Sequence, residues 1–148
     1  MSQDGIDLTT SLGYLLKEAS SALRASMEAV LRPLGMTITH YSCLELLAQR
    51  PGLSNSELAR GAFVTRQSMN VLLQTLERDG YVTRPAEARV GKVLPTQLTP
   101  LGRESLEKAT AAVRSVEVTM LSSLTPEEQS AAFTSLRSMI RSLREGTP

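Results

Sequence analysis

The chain has 148 residues, enough to bury one sizeable core and too few for two independent domains. Apolar residues make up an ordinary 41%, but aromatics are only 3% and tryptophan is absent, so the core must be built from Leu, Val, Ala and Met, which favours packed helices over a sandwich of sheets. The formal net charge of +1 hides an uneven distribution: between Arg60 and Arg103 seven basic residues stand against three acidic ones, while the rest of the chain is acidic, as suits a protein with one face turned to phosphates.

Apolar residues recur with helical spacing at Leu8, Leu12, Leu15, Leu16, Ala19, Leu23, Met27, Val30 and Leu31, which predicts a long first helix over 8–34, ended by Pro33 and Gly35. Thr39 is the expected N-cap of a second helix carrying Tyr41, Leu44, Leu47 and Ala48, which stops at Pro51-Gly52. Ser54-Asn55-Ser56-Glu57 is a capping box, opening a short helix through Leu58 and Ala59 to about Gly61. Thr65 caps the next helix, with Met69, Leu72, Leu73 and Leu76 on one face and Gly80 at its end. Tyr81 to Arg84 and Val93 to Leu98 have strand composition and predict a β-hairpin with a long tip, its second strand confined to an edge by Pro95. Thr99-Pro100 opens a helix with Leu106, Ala109, Val113, Val116, Met120 and Leu124 at alternating three- and four-residue spacing. Thr125-Pro126-Glu127-Glu128 opens the last helix, for which Phe133, Leu136, Ile140 and Leu143 are expected to face inward. The fold class is therefore mainly α with a small β-hairpin wing, in one unit spanning 1–148.

The chemistry lies in the middle. From Glu57 to Glu77 the chain carries a helix-turn-helix pattern: Ala59 is small where two helices cross, Val64 plugs the turn, and Met69 and Leu72 anchor the second helix. With those residues inward, Thr65, Arg66, Gln67, Ser68, Asn70, Val71 and Gln74 fall on the other face or at its start. Arg suits guanine edges and Asn or Gln suits adenine edges in the major groove, so this face is a candidate reader of double-stranded DNA. The hairpin that follows bears Arg84, Arg89 and Lys92, a basic wing placed to grip phosphate and the adjacent minor groove.

Taken together, Leu34-Gly35-Met36-Thr37, Ser56-Glu57-Leu58-Ala59, the helix from Val64 to Glu77, Leu76-Glu77-Arg78-Asp79-Gly80-Tyr81-Val82-Thr83-Arg84 and Leu98-Thr99-Pro100-Leu101-Gly102 resemble the multiple antibiotic resistance regulator family, MarR. The resemblance runs from about Leu8 to Leu143. It implies a winged helix-turn-helix module over 39–99 and dimerisation helices over 8–34 and 100–145. It further implies a homodimer on a pseudo-palindromic operator, with repression as the common activity and release by a small aromatic acid or phenolic compound as the common signal. The wing departs from the family pattern: where Asp-x-Arg is usual, this chain has Val90-Gly91-Lys92, with Glu87-Ala88-Arg89 three residues further back. Either Lys92 or Arg89 is then the wing-tip contact, and Lys lacks the planar fork of Arg. Family effectors sit between the dimerisation helices and the DNA-binding module, which here directs the search for a ligand site to Tyr14, Lys17, Arg24, His40 and Tyr41.

Other classes find little support. Cys43 is the only cysteine and His40 the only histidine, so no intrachain disulfide forms, a metal cage is not expected, and His-assisted catalysis would rest on one residue. Peroxide-sensing relatives place their reactive cysteine in the first helix, whereas Cys43 lies in the second and reads as a small buried thiol. No phosphate-cradling glycine loop or dinucleotide fingerprint is present, so neither an enzyme nor a cofactor is expected. The start of the chain, MSQDGIDLTT, lacks the charge pattern of an export signal and no run of 18 apolar residues occurs, which leads to the expectation of a cytoplasmic protein without a membrane partner. The alternative function is a winged-helix module that binds proteins, which would lack the steep salt dependence of DNA binding.

Overall fold

The computed structural model describes residues 5–84 and 96–146. In chain order it contains α1 (Leu12–Leu31), a single 3-10 turn (Arg32–Leu34), α2 (Ile38–Gln49), α3 (Asn55–Gly61), α4 (Arg66–Arg78), β1 (Val82–Thr83), β2 (Gln97–Leu98), α5 (Pro100–Leu121) and α6 (Pro126–Glu145). The strands pair antiparallel, Val82 opposite Leu98 and Thr83 opposite Gln97. Mostly helical with a two-stranded sheet, the architecture is the one expected. The part of the second strand expected at Val93 to Pro95 lies outside the described residues.

Two helix starts differ from expectation, each for a local reason. Helix α1 begins after Ser11, whose hydroxyl accepts from the Tyr14 N–H at 3.1 Å, and not at Leu8. Upstream, the Asp7 carboxylate accepts from the Thr9 N–H at 2.9 Å and the Thr9 hydroxyl at 2.7 Å, and its carbonyl accepts from the Thr10 N–H. This side-chain turn competes with helix for the same backbone groups. Helix α2 is capped by Thr37, which accepts from the His40 N–H at 3.1 Å; Thr39 is already in the first turn. Gly35, at φ 71°, reverses the chain early enough for the first of the two threonines to serve. The capping boxes at Ser54/Glu57 and Thr125/Glu128, and the caps at Thr65 and Thr99, are all formed.

The main core lies beneath the helix-turn-helix. Cys43, Leu44 and Leu47 of α2 meet Leu58 and Ala59 of α3, Met69, Leu73 and Leu76 of α4, Val82 of β1 and Leu106 of α5. A smaller cluster joins Leu31 at the end of α1 to Ala109 and Val113 of α5. Between them these clusters fix α4 and the strands on a helical frame.

The joint between the hairpin and α5 is tight. The Thr99 hydroxyl donates to the Gly80 carbonyl at 2.6 Å and accepts from the Gly102 N–H at 3.0 Å, while the Thr99 N–H donates to the Tyr81 carbonyl at 3.1 Å. Gly102 is buried against that same Tyr81 carbonyl, where any Cβ would collide with backbone. This explains Leu-Thr-Pro-Leu-Gly as a structural motif.

Helix α6 does not follow expectation within the chain. It buries no residue, and Phe133, Leu136, Ile140 and Leu143 are 53%, 40%, 46% and 72% exposed. The apolar stripe exists, but among the described residues none buries Phe133, Leu136 or Ile140, because helical periodicity specifies a face and not the surface it meets. Leu12, Leu15 and Leu16 of α1 are exposed in the same way.

Candidate nucleic-acid interface

Helix α4 owes its orientation to its inward face. Met69 and Leu73 are fully buried and Leu76 nearly so, which locks the helix against α2 and α3. Residues Arg66, Gln67, Ser68, Asn70, Val71 and Gln74 are consequently exposed, and spacing of three or four makes Arg66, Gln67, Asn70, Val71 and Gln74 one contiguous strip. Val71, 59% exposed, gives that strip one apolar contact suited to a thymine methyl.

The members of the strip are not equivalent. The Thr65 hydroxyl accepts from the Ser68 N–H at 3.0 Å and donates to the Ser68 hydroxyl at 2.9 Å, so these two side chains first hold the start of the helix. Arg66 enters none of the ion pairs found among the described residues. Asn70 accepts at its Oδ1 from Nδ2 of Asn55, the first residue of α3, at 2.6 Å. That contact spans fifteen residues of sequence and was not foreseen; its only trace in the sequence is a polar residue at the first position of a capped helix.

The wing begins where α4 ends. Gly80, at φ 85°, turns the chain, and the half-buried Arg84 donates its backbone N–H to the Glu77 carboxylate at 3.2 Å. Glu77 thereby ties the last turn of α4 to the residue that follows the wing's first strand. Arg89 and Lys92 lie outside the described residues.

Among the described residues, the five positions expected around a ligand are spread over different places. Tyr14 and Lys17 line a hollow on α1 with Glu18 and Ser21. Arg24 is exposed and its nearest acid is Glu28, at 4.0 Å. His40 lines a hollow of about 490 Å³ between the start of α2 and α4, facing Gln67, Ser68 and Val71. Burial lowers its pKa, with Asp79 opposing the shift. Tyr41 is half-buried near Glu45 of α2 and Thr110 of α5; burial first, and then the hydrogen bond to Glu45, raises its pKa to about 12. Glu45 also accepts from Thr110 at 3.1 Å and from Gln49 at 2.6 Å, which makes it the polar centre of the α2–α5 contact. A larger groove of about 530 Å³ runs between α1 and α5, lined by small residues such as Ala19, Ala22 and Ala29 with Val116 and Met120.

Cys43 is fully buried, as expected, with its sulfur 3.8 Å from that of Met69, and burial pushes its thiol up to about 12. A thiol so held is a core group, not a nucleophile. Among the described residues no helix is long and apolar enough to cross a membrane.

A capped helix-turn-helix followed by two short antiparallel strands and framed by long helices defines a winged helix-turn-helix protein of the regulator type. The chain belongs to the MarR family. It matches that family over residues 34–92. It is 46% identical over 118 residues to the HTH-type transcriptional repressor Rv2887 of Mycobacterium tuberculosis, covering 80% of this chain and 85% of that protein. Among solved structures it resembles Mycobacterium tuberculosis Rv2887 in complex with salicylic acid, at a TM-score of 0.73 and 40% identity over 94% of this chain and 99% of that one. It resembles the same protein in complex with DNA at a TM-score of 0.73 and 41% identity, covering 88% of this chain and 98% of that one.

Proposed function

We propose that the protein is a sequence-specific DNA-binding transcriptional repressor that acts as a homodimer and leaves its operator when a small aromatic acid or phenolic compound binds. The observation that carries this reading is the exposed polar strip of α4, held outward by Met69, Leu73 and Leu76 in a chain 46% identical to a repressor. Within it Arg66, Gln67, Asn70 and Gln74 meet base edges, Thr65 and Ser68 secure the helix start beside phosphate, and Arg84 with Arg89 or Lys92 grips the flanking backbone. The winged module over 39–99 is carried by the helices over 8–34 and 100–145, which join two copies through the exposed faces of α1 and α6. The protein works by binding and not by catalysis, in the cytoplasm where its DNA lies.

Salicylic acid in the related Rv2887 complex supports an aromatic acid as the effector class. Of the positions Tyr14, Lys17, Arg24, His40 and Tyr41, His40 stands beside the DNA-reading strip, and Tyr41 stands at the α2–α5 contact. A ligand reaching either one alters the seat of α4 or of the whole module.

The test is titration of the full-length protein with a palindrome-containing duplex from its own upstream region, over a range of salt, with and without salicylate. Selective binding that weakens steeply with salt, and weakens again with salicylate, is expected. Binding to no duplex selectively would overturn the regulator reading in favour of a protein-binding winged helix, and indifference to salicylate would overturn the effector class alone.

A further inference from the structure

The contact between Asn55 and Asn70 changes what Asn70 can read. An asparagine that recognises adenine uses both ends of its amide, Oδ1 accepting from the adenine amino group and Nδ2 donating to N7. Here Oδ1 of Asn70 already accepts from Nδ2 of Asn55 at 2.6 Å, and Asn55 is half-buried at the start of α3, where the Ser54/Glu57 capping box fixes its backbone. The oxygen of Asn70 is thus turned toward α3, and its amino group, with both hydrogens available, is turned toward the strip shared with Arg66, Gln67 and Gln74.

We propose that Asn55 is a positioning residue for base recognition: its amide orients Asn70 so that Asn70 presents donors to the major groove and selects a guanine or thymine edge over adenine. The proposal rests on the DNA-binding reading above. Guanine offers two acceptors, N7 and O6, and thymine offers O4, whereas adenine offers N7 alone beside an amino group that confronts the Asn70 amino group as a second donor, and cytosine offers only a donor. A residue that never touches a base then fixes one letter of the operator.

The experiment selects preferred duplexes from a random library with the full-length wild type, and then measures affinity for that duplex with every base pair substituted in turn. Wild type, Asn55→Ala, Asn55→Asp, Asn70→Ala and the Asn55→Ala/Asn70→Ala double variant are compared at fixed salt. Asn55→Ala frees the Asn70 amide to rotate and is expected to reduce discrimination roughly tenfold at one base pair per half-site, the scale of a single base contact. The same substitution is expected to change nothing further once Asn70 is alanine. Asn55→Asp presents only acceptors, so it turns Nδ2 of Asn70 inward and Oδ1 outward, and preference at that base pair is expected to move toward adenine or cytosine.

A uniform loss across all sequences that persists in the Asn70→Ala background would make Asn55 a backbone contact and overturn the proposal. Unchanged discrimination in both Asn55 variants would overturn it as well, and Asn55→Asp answers the question should Asn55→Ala fold poorly. If the wild type selects no duplex, the regulator reading itself fails and this proposal goes with it, a result distinct from the other two.

Discussion

The winged module and the helical ends of this chain use the same residue types to opposite effect. In the module, Leu44, Leu58, Met69 and Leu73 are fully buried by neighbours from the same chain. At the ends, Leu12, Leu15, Phe133, Leu136 and Ile140 repeat just as regularly and remain exposed. Exposed apolar surface on that scale marks an association face. The difference is that one region completes its core within the chain, whereas the other leaves an apolar face for the second copy proposed above.

The comparison breaks most sharply in the core. Leu73→Ala is expected to cost about 2–5 kcal/mol, the usual range for emptying a buried leucine site, with the same loss at every protein concentration in urea unfolding. A loss that shrinks as protein is diluted would mean the module does not close its own core. Next in size, Phe133→Asp is expected to weaken self-association roughly 30-fold or more, as when a buried aromatic anchor is lost, while leaving the circular dichroism of the monomer unchanged. Sedimentation equilibrium reads this directly, and an unaffected dimer would move the association face away from α6.

The two capping boxes give a finer contrast, because the chemistry is the same and only the surroundings differ. Ser54→Ala is expected to lower global stability by about 1 kcal/mol, since α3 is built into the core. Thr125→Ala should show instead as faster amide exchange in the first turn of α6 with little change in the main transition. The smallest effect is that of pH. Burial holds the His40 pKa below its ordinary value of 6.5, so as pH falls through that value the unfolded chain takes up a proton before the folded one does. Stability is therefore expected to decline from pH 7.5 toward the lower folded-state value and then level off. Replacing His40 by Gln should remove that part of the pH dependence from the urea midpoint, and an unaltered profile would show that His40 is free to ionise in the folded protein.

What could be read in the sequence was what is encoded locally. The boxes at Ser54/Glu57 and Thr125/Glu128 and the cap at Thr65 lie within four residues of their partners, so the sequence alone specifies them. The same locality misleads at Thr39, which has the chemistry of a cap but lies inside the first turn because Gly35 turns the chain early enough for Thr37 to cap, and at Leu8, which fits a helical pattern that the Asp7 side chain interrupts. The polar strip of α4 was legible because the apolar anchors opposite it define a face. The Asn55–Asn70 bridge and the meeting of Tyr41, Glu45 and Thr110 were not, since each joins elements brought together only by folding. Nor could periodicity reveal that Phe133 and Ile140 face out of their own chain.

Thr99 gives the architecture a mechanical character. One hydroxyl joins the carbonyl that follows α4 to the first turn of α5, and Gly102 leaves no gap between that turn and the Tyr81 backbone. The end of the DNA-reading helix and the start of the long frame helix therefore form one rigid elbow. In the dimer proposed above, a tilt of α5 at its far end would pass through this joint and change the separation of the two recognition helices. Sensitivity to a distant signal then needs no flexible hinge beside the DNA, only a lever stiff enough to carry a small rotation across the length of α5.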